Sequence, residues 1–420
     1  MPGNHVYLDM VAPRITSLAV NNLGITSIFN KAFEVNFQGD KPIGDTLRVK
    51  TPHRATIRDG LSYAGQSIDR RFQNITADQI FGADLDWDTL EKALEMERSP
   101  EELDENLFSP VSAQIAQEID SRAALFMYKN TNNITGQLGT TPTALSSYTG
   151  VRTRIKEQGG WETARRVGMM VTPDMMGTII SGSSSPNLLS LFVKDVDKAF
   201  RKGYIGEYAD MSWFESMSLY RHTTGVITTQ ASGTTISGGS QTGTSINLAG
   251  TNGDTLKAGD TITIANVLAV NPMTRRSTNR LKHFKIMADA TFAASAATVT
   301  IFPGIVATGP YQNVDSVPAN AAIVLLTPGT TMVDGTAKSG LFGCGLTNEA
   351  FALVGIDLPL PKRSAEEWVD SYMDKKSGIG IACWRWAEGR TREWHTRWDV
   401  MLGFGSQMAD QSACLLGSNN

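Results

Sequence analysis

Cysteine is scarce in this chain: Cys344, Cys383 and Cys414 are the only three in 420 residues. They are odd in number, widely separated and without metal-type spacing, which excludes a disulfide scaffold and leaves reduced thiols as the expectation. Basic charge is not in excess, since 38 Lys and Arg stand against 42 Asp and Glu for a net charge of −4. A surface that coats nucleic acid would need the opposite balance. No run of 18 apolar residues occurs, so no membrane-spanning helix and no membrane association is expected. The opening MPGNHVYLDM lacks the basic and apolar blocks of a signal peptide, which argues against secretion.

Catalytic patterns are equally thin. His222 and His395 lie near hydroxyls or acids, yet neither belongs to a nucleophile elbow, a zinc spacing or a phosphate loop. Cys344, between two glycines, reads as a buried spectator thiol. Trp384, Trp386, Trp394 and Trp398 alternate along predicted strands, where they fill sheet faces more simply than they stack on a ligand. The chain is therefore read as no enzyme, with no cofactor and no metal.

What is present is organised around Ser109 to Asn130. Pro110 suits a first helical turn, and Val111, Ile115, Ile119, Ala123 and Phe126 or Met127 recur every three to four residues. Gln114, Gln117, Glu118 and Ser121 take the other side. At a rise of ~1.5 Å per residue this predicts a rod of roughly 33 Å. Before it, residues 1–43 read as an arm whose short apolar stripe (Ile15, Leu18, Ala19) is expected to lean on another surface, such as a neighbouring subunit.

From Gly44 the period changes to two, Leu47 and Val49 alternating with Arg48 and Lys50, and a second strand is predicted over Ser67–Ile75 after the Asp59-Gly60 turn. Arg48, Lys50, Arg54, Arg58, Arg70 and Arg71 make this hairpin basic. Phe81, Ala83, Leu85 and Trp87 then alternate with Gly82, Asp84, Asp86 and Asp88, and acids including Glu91 and Glu95 continue to Glu105. A basic hairpin followed by an acidic strip invites pairing between copies of the chain.

After the predicted helix come α/β signals: a helix near Val151–Gln158, a buried strand Val167–Thr172, a helix opened by Pro173, an amphipathic helix Phe192–Phe200 and a strand Trp213–Tyr220. At Thr223 the composition turns to Thr, Ser, Gly and Ala. Strands are predicted at Ser245–Leu248, Thr261–Ala265, Phe284–Ala288, Thr298–Phe302 and Ile323–Leu326, the pattern of a small antiparallel barrel or sandwich. It carries one basic cluster, Arg275, Arg276, Arg280, Lys282 and Lys285, expected to be a solvated loop or subunit contact. Mixed character resumes beyond Pro328, so the block is an insertion. Near the end, Ile379, Ile381 and Cys383 face Trp398, Val400, Leu402 and Phe404 in a predicted hairpin.

Several of these stretches together resemble a known family. Gly44-Asp45-Thr46-Leu47-Arg48-Val49-Lys50-Thr51-Pro52 with Ile57-Arg58-Asp59-Gly60, Glu118-Ile119-Asp120, Asn348-Glu349-Ala350-Phe351-Ala352-Leu353 with Leu358-Pro359-Leu360-Pro361, and Trp398-Asp399-Val400-Met401-Leu402-Gly403-Phe404 follow in order along the chain. In that order they resemble the major coat protein of tailed, double-stranded DNA bacteriophages, the branch of short-tailed Salmonella phages whose coat carries an inserted β-barrel domain. The resemblance implies an α+β chain of the Hong Kong 97 capsid fold. It would have an arm (1–43), an extended loop (44–76), a peripheral domain with a spine helix (77–144) and an axial domain in two parts (145–222 and 329–375). An inserted β domain (223–328) and a closing peripheral sheet (376–420) would complete it. It also implies self-assembly into hexamers and pentamers of an icosahedral shell, a scaffolding protein and a portal as partners, enclosed DNA that is not bound by sequence, and a place in the virion after assembly in the host cytoplasm. A secreted, adhesin-like β-rich protein is the alternative.

Overall fold

The structure is a computed structural model. It describes residues 5–31, 46–50, 53–57, 59–63, 65–67, 71–87, 108–159, 167–181, 207–208, 210–228, 233–327, 336–356, 358, 368–374, 377–388 and 393–417. Its helices are α1 (His5–Asn21), α2 (Ser109–Asn130), α3 (Leu145–Gly159) and α4 (Pro173–Ser181). The early strands are β1 (Thr46–Lys50), β2 (Phe72–Trp87), β3 (Asn133–Gly136), β4 (Val167–Val171), β5 (Glu207–Tyr208), β6 (Met211–Glu215) and β7 (Arg221–Thr223). The Thr-rich block holds β8 (Thr235–Ile236), β9 (Gly243–Ala249), β10 (Thr255–Leu256), β11 (Thr261–Val270), β12 (Ser277–Ile286), β13 (Ala290–Thr291), β14 (Ala296–Ile305) and β15 (Val324–Thr327). Then follow β16 (Ser339–Leu346), β17 (Phe351–Ile356), β18 (Trp368–Asp374), β19 (Ile379–Glu388), β20 (Glu393–Ser406) and β21 (Ser412–Leu416).

Helix α2 has the predicted bounds. Val111, Ile115, Ile119, Ala123 and Met127 are buried, whereas Gln114, Gln117, Glu118 and Ser121 are exposed. Each large apolar side chain so removed from water contributes about 1.5–3 kcal/mol. The helix stops where Asn130 turns its amide back to the Phe126 carbonyl at 2.9 Å, satisfying an acceptor the last turn leaves open.

The chain forms two compact units, with α2 contributing to both. The first comprises residues 1–51, 72–123 and 351–407. Its sheet runs β1-β2-β20-β19-β18, with β17 also paired to β20. The predicted β19–β20 hairpin is present, and Ile379, Ile381, Cys383, Trp398, Val400, Leu402 and Phe404 are buried. The end of the predicted strand Ser67–Ile75 and the alternating stretch from Phe81 to Trp87 belong to one strand, β2, which begins at Phe72 and is interrupted by a register shift between Ala77 and Gln79 opposite β20. That bulge carries the polar Asp78-Gln79 pair, which made one strand look like two.

The apolar stripe of the arm finds a surface within its own chain. Helix α1 packs on β18 and β19 of its own chain, with Ala12, Ile15, Thr16 and Ala19 fully or almost fully buried. After α1, the backbone N–H groups of Gly24 and Thr26 and the Thr26 hydroxyl all donate to the Asp120 carboxylate of α2, at 2.7, 3.0 and 2.9 Å. Phe29 then packs against Phe351 and Phe404, and Asn30 donates to the Phe351 carbonyl.

The second unit comprises residues 52–71, 124–350 and 408–420. One sheet has the order β3-β21-β16-β4-β6-β5, with β7 also paired to β16. Strand β21 therefore lies inside this sheet, parallel to β3 and antiparallel to β16, so the reading of 376–420 as part of a single closing sheet is corrected at its end. Helix α3 covers the sheet closely, since a Cβ at Gly345 would run into Val151. The predicted strand Trp213–Tyr220 is a strand only to Glu215, where β6 ends; residues 216–220 are irregular and β7 begins at Arg221. The predicted helix Phe192–Phe200 lies outside the described residues.

The inserted block is a β-barrel of order β15-β11-β12-β14-β9-β8, closed by a bridge from Thr235 to Ile323. Each predicted strand overlaps an observed one. Ile246, Leu248, Ile262, Ile264, Phe284, Ile286, Val299, Ile301 and Leu326 fill its core.

Candidate subunit-interface surfaces

The extended loop rises from β1 and β2, paired in register from Thr46 opposite Thr76 to Lys50 opposite Phe72. Arg48 and Lys50 are exposed on β1, while Val49 turns inward to Ile75, Ala352 and Val354. Higher in the loop the Gln66 side chain substitutes for a strand partner. Its amide donates to the Thr56 carbonyl at 2.5 Å and its oxygen accepts from the Thr56 N–H at 2.7 Å. Beyond this clamp Ile57, Leu61 and Tyr63 are 81%, 99% and 90% exposed, so the loop tip presents apolar side chains to solvent.

Arg54 and Arg71 place their guanidinium groups over the Tyr311 ring, 5.9 and 3.6 Å from its centroid. Two of the expected intersubunit cations thus have a cation–π partner within their own chain. Arg58 and Arg70 lie outside the described residues.

Of the acidic strip, Asp84 and Asp86 are exposed on β2, and Asp88, Glu91 and Glu95 lie outside the described residues. The β2–β20 register sets Asp84 opposite Arg397 and Asp86 opposite His395. Asp86 Oδ1 is 2.6 Å from His395 Nδ1, and Trp386 lies against that imidazole. Arg397 reaches Asp84 only at 4.0 Å and is engaged by Asp399 at 2.8 Å. Exposed pairs of this kind contribute ~0.2–1 kcal/mol each and leave Asp84 available to a second cation.

The basic cluster of the inserted domain is solvated only in part. Arg275 sits in the Asn271–Arg276 turn with a positive φ of 55°, and Arg276 is exposed. Arg280 is 3.3 Å from Glu157 of α3. Lys282 and Lys285, however, are buried. Lys282 donates to Gln158 at 2.8 Å and lies 3.5 Å from Asp410. Lys285 sets its ammonium 3.5 Å above the Tyr128 ring, and burial pushes its pKa down to about 8. Between them His283 accepts the Ile134 N–H at 3.1 Å through Nδ1, and burial beside Arg154, Lys282 and Lys285 holds it well below its ordinary value. The cluster therefore fastens the barrel to β3, α3 and the end of α2. The reason is that both sides of this part of β12 are covered: Phe284 and Ile286 join the barrel core while the cations reach outward.

The root of the insertion is fixed by Asp260. It faces His222 Nε2 at 2.7 Å and accepts the N–H groups of Gly225 and Lys257 at 3.0 and 2.8 Å. His222 is thereby a buried partner of the insertion. Asp120, Asp260 and Tyr311 carry structural roles that sequence reasoning did not assign. A carboxylate beside the apolar stripe of α2 was the one available sign for Asp120.

The parts of this α+β chain follow the order that the resemblance to the Hong Kong 97 phage capsid fold implies, with an inserted barrel. Residues 220–410 match the family model described as P22 coat protein, gene protein 5. No curated protein matches. Among solved structures, one titled Mycobacterium phage Che8 is 10% identical with a TM-score of 0.47, covering 94% of this chain and 90% of that one. The mature capsid of bacteriophage PhiM1 is 10% identical with a TM-score of 0.42, covering 90% and 83%. The CUS-3 coat protein I-domain is 26% identical with a TM-score of 0.18, covering 24% of this chain and 98% of the domain. None of these matches supports the adhesin alternative.

Proposed function

We propose that the chain tiles an icosahedral shell as hexamers and pentamers around a double-stranded DNA genome. The observation that carries this reading is the coat-protein family match across the barrel and the β17–β20 sheet. A scaffolding protein and a portal are its assembly partners, assembly takes place in the host cytoplasm, and the chain catalyses no reaction. The net charge of −4 suits a wall that encloses DNA without gripping it.

The loop supports this reading physically. Gln66 clamps it and Tyr311 receives Arg54 and Arg71, so the apolar tip of Ile57, Leu61 and Tyr63 is ordered before it meets a second copy. Pre-ordering lowers the entropic cost of association. Arg48, Lys50, Arg58 and Arg70 then fix the register against an acidic strip of Asp84, Asp86, Asp88, Glu91 and Glu95 on the neighbour. Each pair contributes little alone, and their value lies in number and in rejecting wrong contacts. Reversing Arg58 and Arg70 to Glu should lower the yield of particles seen by negative-stain microscopy while leaving the circular dichroism melt of the soluble chain unchanged. Normal particle yield from the double variant would overturn the charge-register reading.

A further inference from the structure

Two of the three cysteines meet in the core of the second unit. Strands β16 and β21 pair antiparallel with Cys344 directly opposite Cys414, and their sulfur atoms are 3.8 Å apart although the residues are 70 positions apart in sequence. Opposed residues in such a ladder have Cα atoms ~4.5 or ~5.5 Å apart, both inside the Cα range that a disulfide spans. Both side chains are completely buried. Cys383 belongs to the other unit, where it pairs opposite Trp398.

The surroundings make the two thiols unequal. Burial pushes Cys344 well above the ordinary thiol range, and its contact with Cys414 adds to the rise. Burial also raises Cys414, but the Cys344 thiol, the Lys285 ammonium and the Thr131 hydroxyl together outweigh it and bring this thiol below its usual value. One sulfur is thus the better nucleophile and the other is in place to resolve it.

We propose that Cys344 and Cys414 form an oxidation-dependent site that closes into a disulfide when the folded chain meets a hydroperoxide. The Cys414 thiolate attacks one peroxide oxygen, the O–O bond breaks, and the sulfur becomes a sulfenic acid as hydroxide leaves and takes up a proton. Cys344 then attacks that sulfur, the S–S bond forms, its own proton is lost and the sulfenic oxygen departs as water. Overall two thiols are oxidised by two electrons, hydrogen peroxide is reduced to two waters, and atoms balance. The bond ties β21 to β16 inside the sheet. On the shell-forming reading it would stay open in a reducing cytoplasm and close after release; the chemical test does not depend on that reading.

The test uses the full chain, purified reduced, freed of reductant and exposed to hydrogen peroxide while folded. Thiol titration in denaturant should fall from three to one, and intact mass should drop by two hydrogens. Digestion should yield a peptide pair joined through Cys344 and Cys414, and the thermal midpoint should rise and return on adding reductant. Cys383→Ser should lose all titratable thiol and give the same linked pair, keeping the experiment informative if Cys344→Ser or Cys414→Ser does not fold. Retention of all thiols, gain of oxygen mass without a linked pair, or bonds only between separate chains would overturn the proposal.

Discussion

The two units bury charge in opposite measure. In the first, helix α1, the long strand β2 and the β19–β20 hairpin close over apolar side chains, and the buried carboxylate of Asp120 is answered by three donors of the segment after α1. In the second, Lys282, His283, Lys285, His222 and Asp260 are all buried around the root and flank of the inserted barrel. Apolar layers tolerate variation in what they touch, whereas a buried charge accepts only a partner of the right kind in the right place. The contrast shows a sheet unit held by shape and an inserted domain positioned by specific pairs.

The largest expected effect tests the root of the insertion. Replacing Asp260 with Ala leaves His222 and the N–H groups of Gly225 and Lys257 without their shared acceptor, and should cost about 3–5 kcal/mol in urea or thermal unfolding. A loss below 1 kcal/mol would mean that the barrel is held chiefly by its apolar contacts. Asp120→Ala in the other unit should cost less, on the order of 2–3 kcal/mol, because water can replace the bond to the exposed Gly24, leaving the two donors of the buried Thr26 as the main loss. Limited proteolysis should then cut first between α1 and residue 31. An intact arm in that variant would show that α1 needs no carboxylate to stay docked.

The smallest effect has the opposite sign. The Lys285 ammonium is charged up to about pH 8 in the folded chain and, at its ordinary value of 10.5, to a higher pH in the unfolded one. Between those values the unfolded chain holds a proton that the folded chain lacks, so raising pH favours folding. Lys285→Met should remove that rise and, below pH 8, leave stability unchanged or improved by roughly 1–3 kcal/mol. Parallel pH dependences of the two proteins between pH 8 and 10.5 would refute the assignment.

How much of this could be read beforehand followed the same division. The bounds of α2, the β19–β20 hairpin and every predicted barrel strand were legible because each buries one face and leaves a period in the sequence. The continuity of β2 was hidden by the bulge at Asp78, where the alternation is interrupted by polar residues. The positions of Lys282 and Lys285 were hidden for a deeper reason. In a strand covered on both sides, charge no longer signals exposure, and five bases without an acid before Asp289 look the same whether they face water or an aromatic ring. Likewise, nothing local to Arg54 or Arg71 points to Tyr311, whose contribution comes only with the fold.

Strand β21 has a consequence for how the molecule is made. It separates β3 from β16, yet 275 positions of chain (137–411) are translated after β3 before it exists. Until Ser412–Leu416 leaves the ribosome, β3 has no place in the sheet and the neighbouring edge of β16 stays open. A product cut short just before that point would carry nearly all of its mass and still expose an unfilled seam, a form that proteases can recognise before it joins a growing assembly.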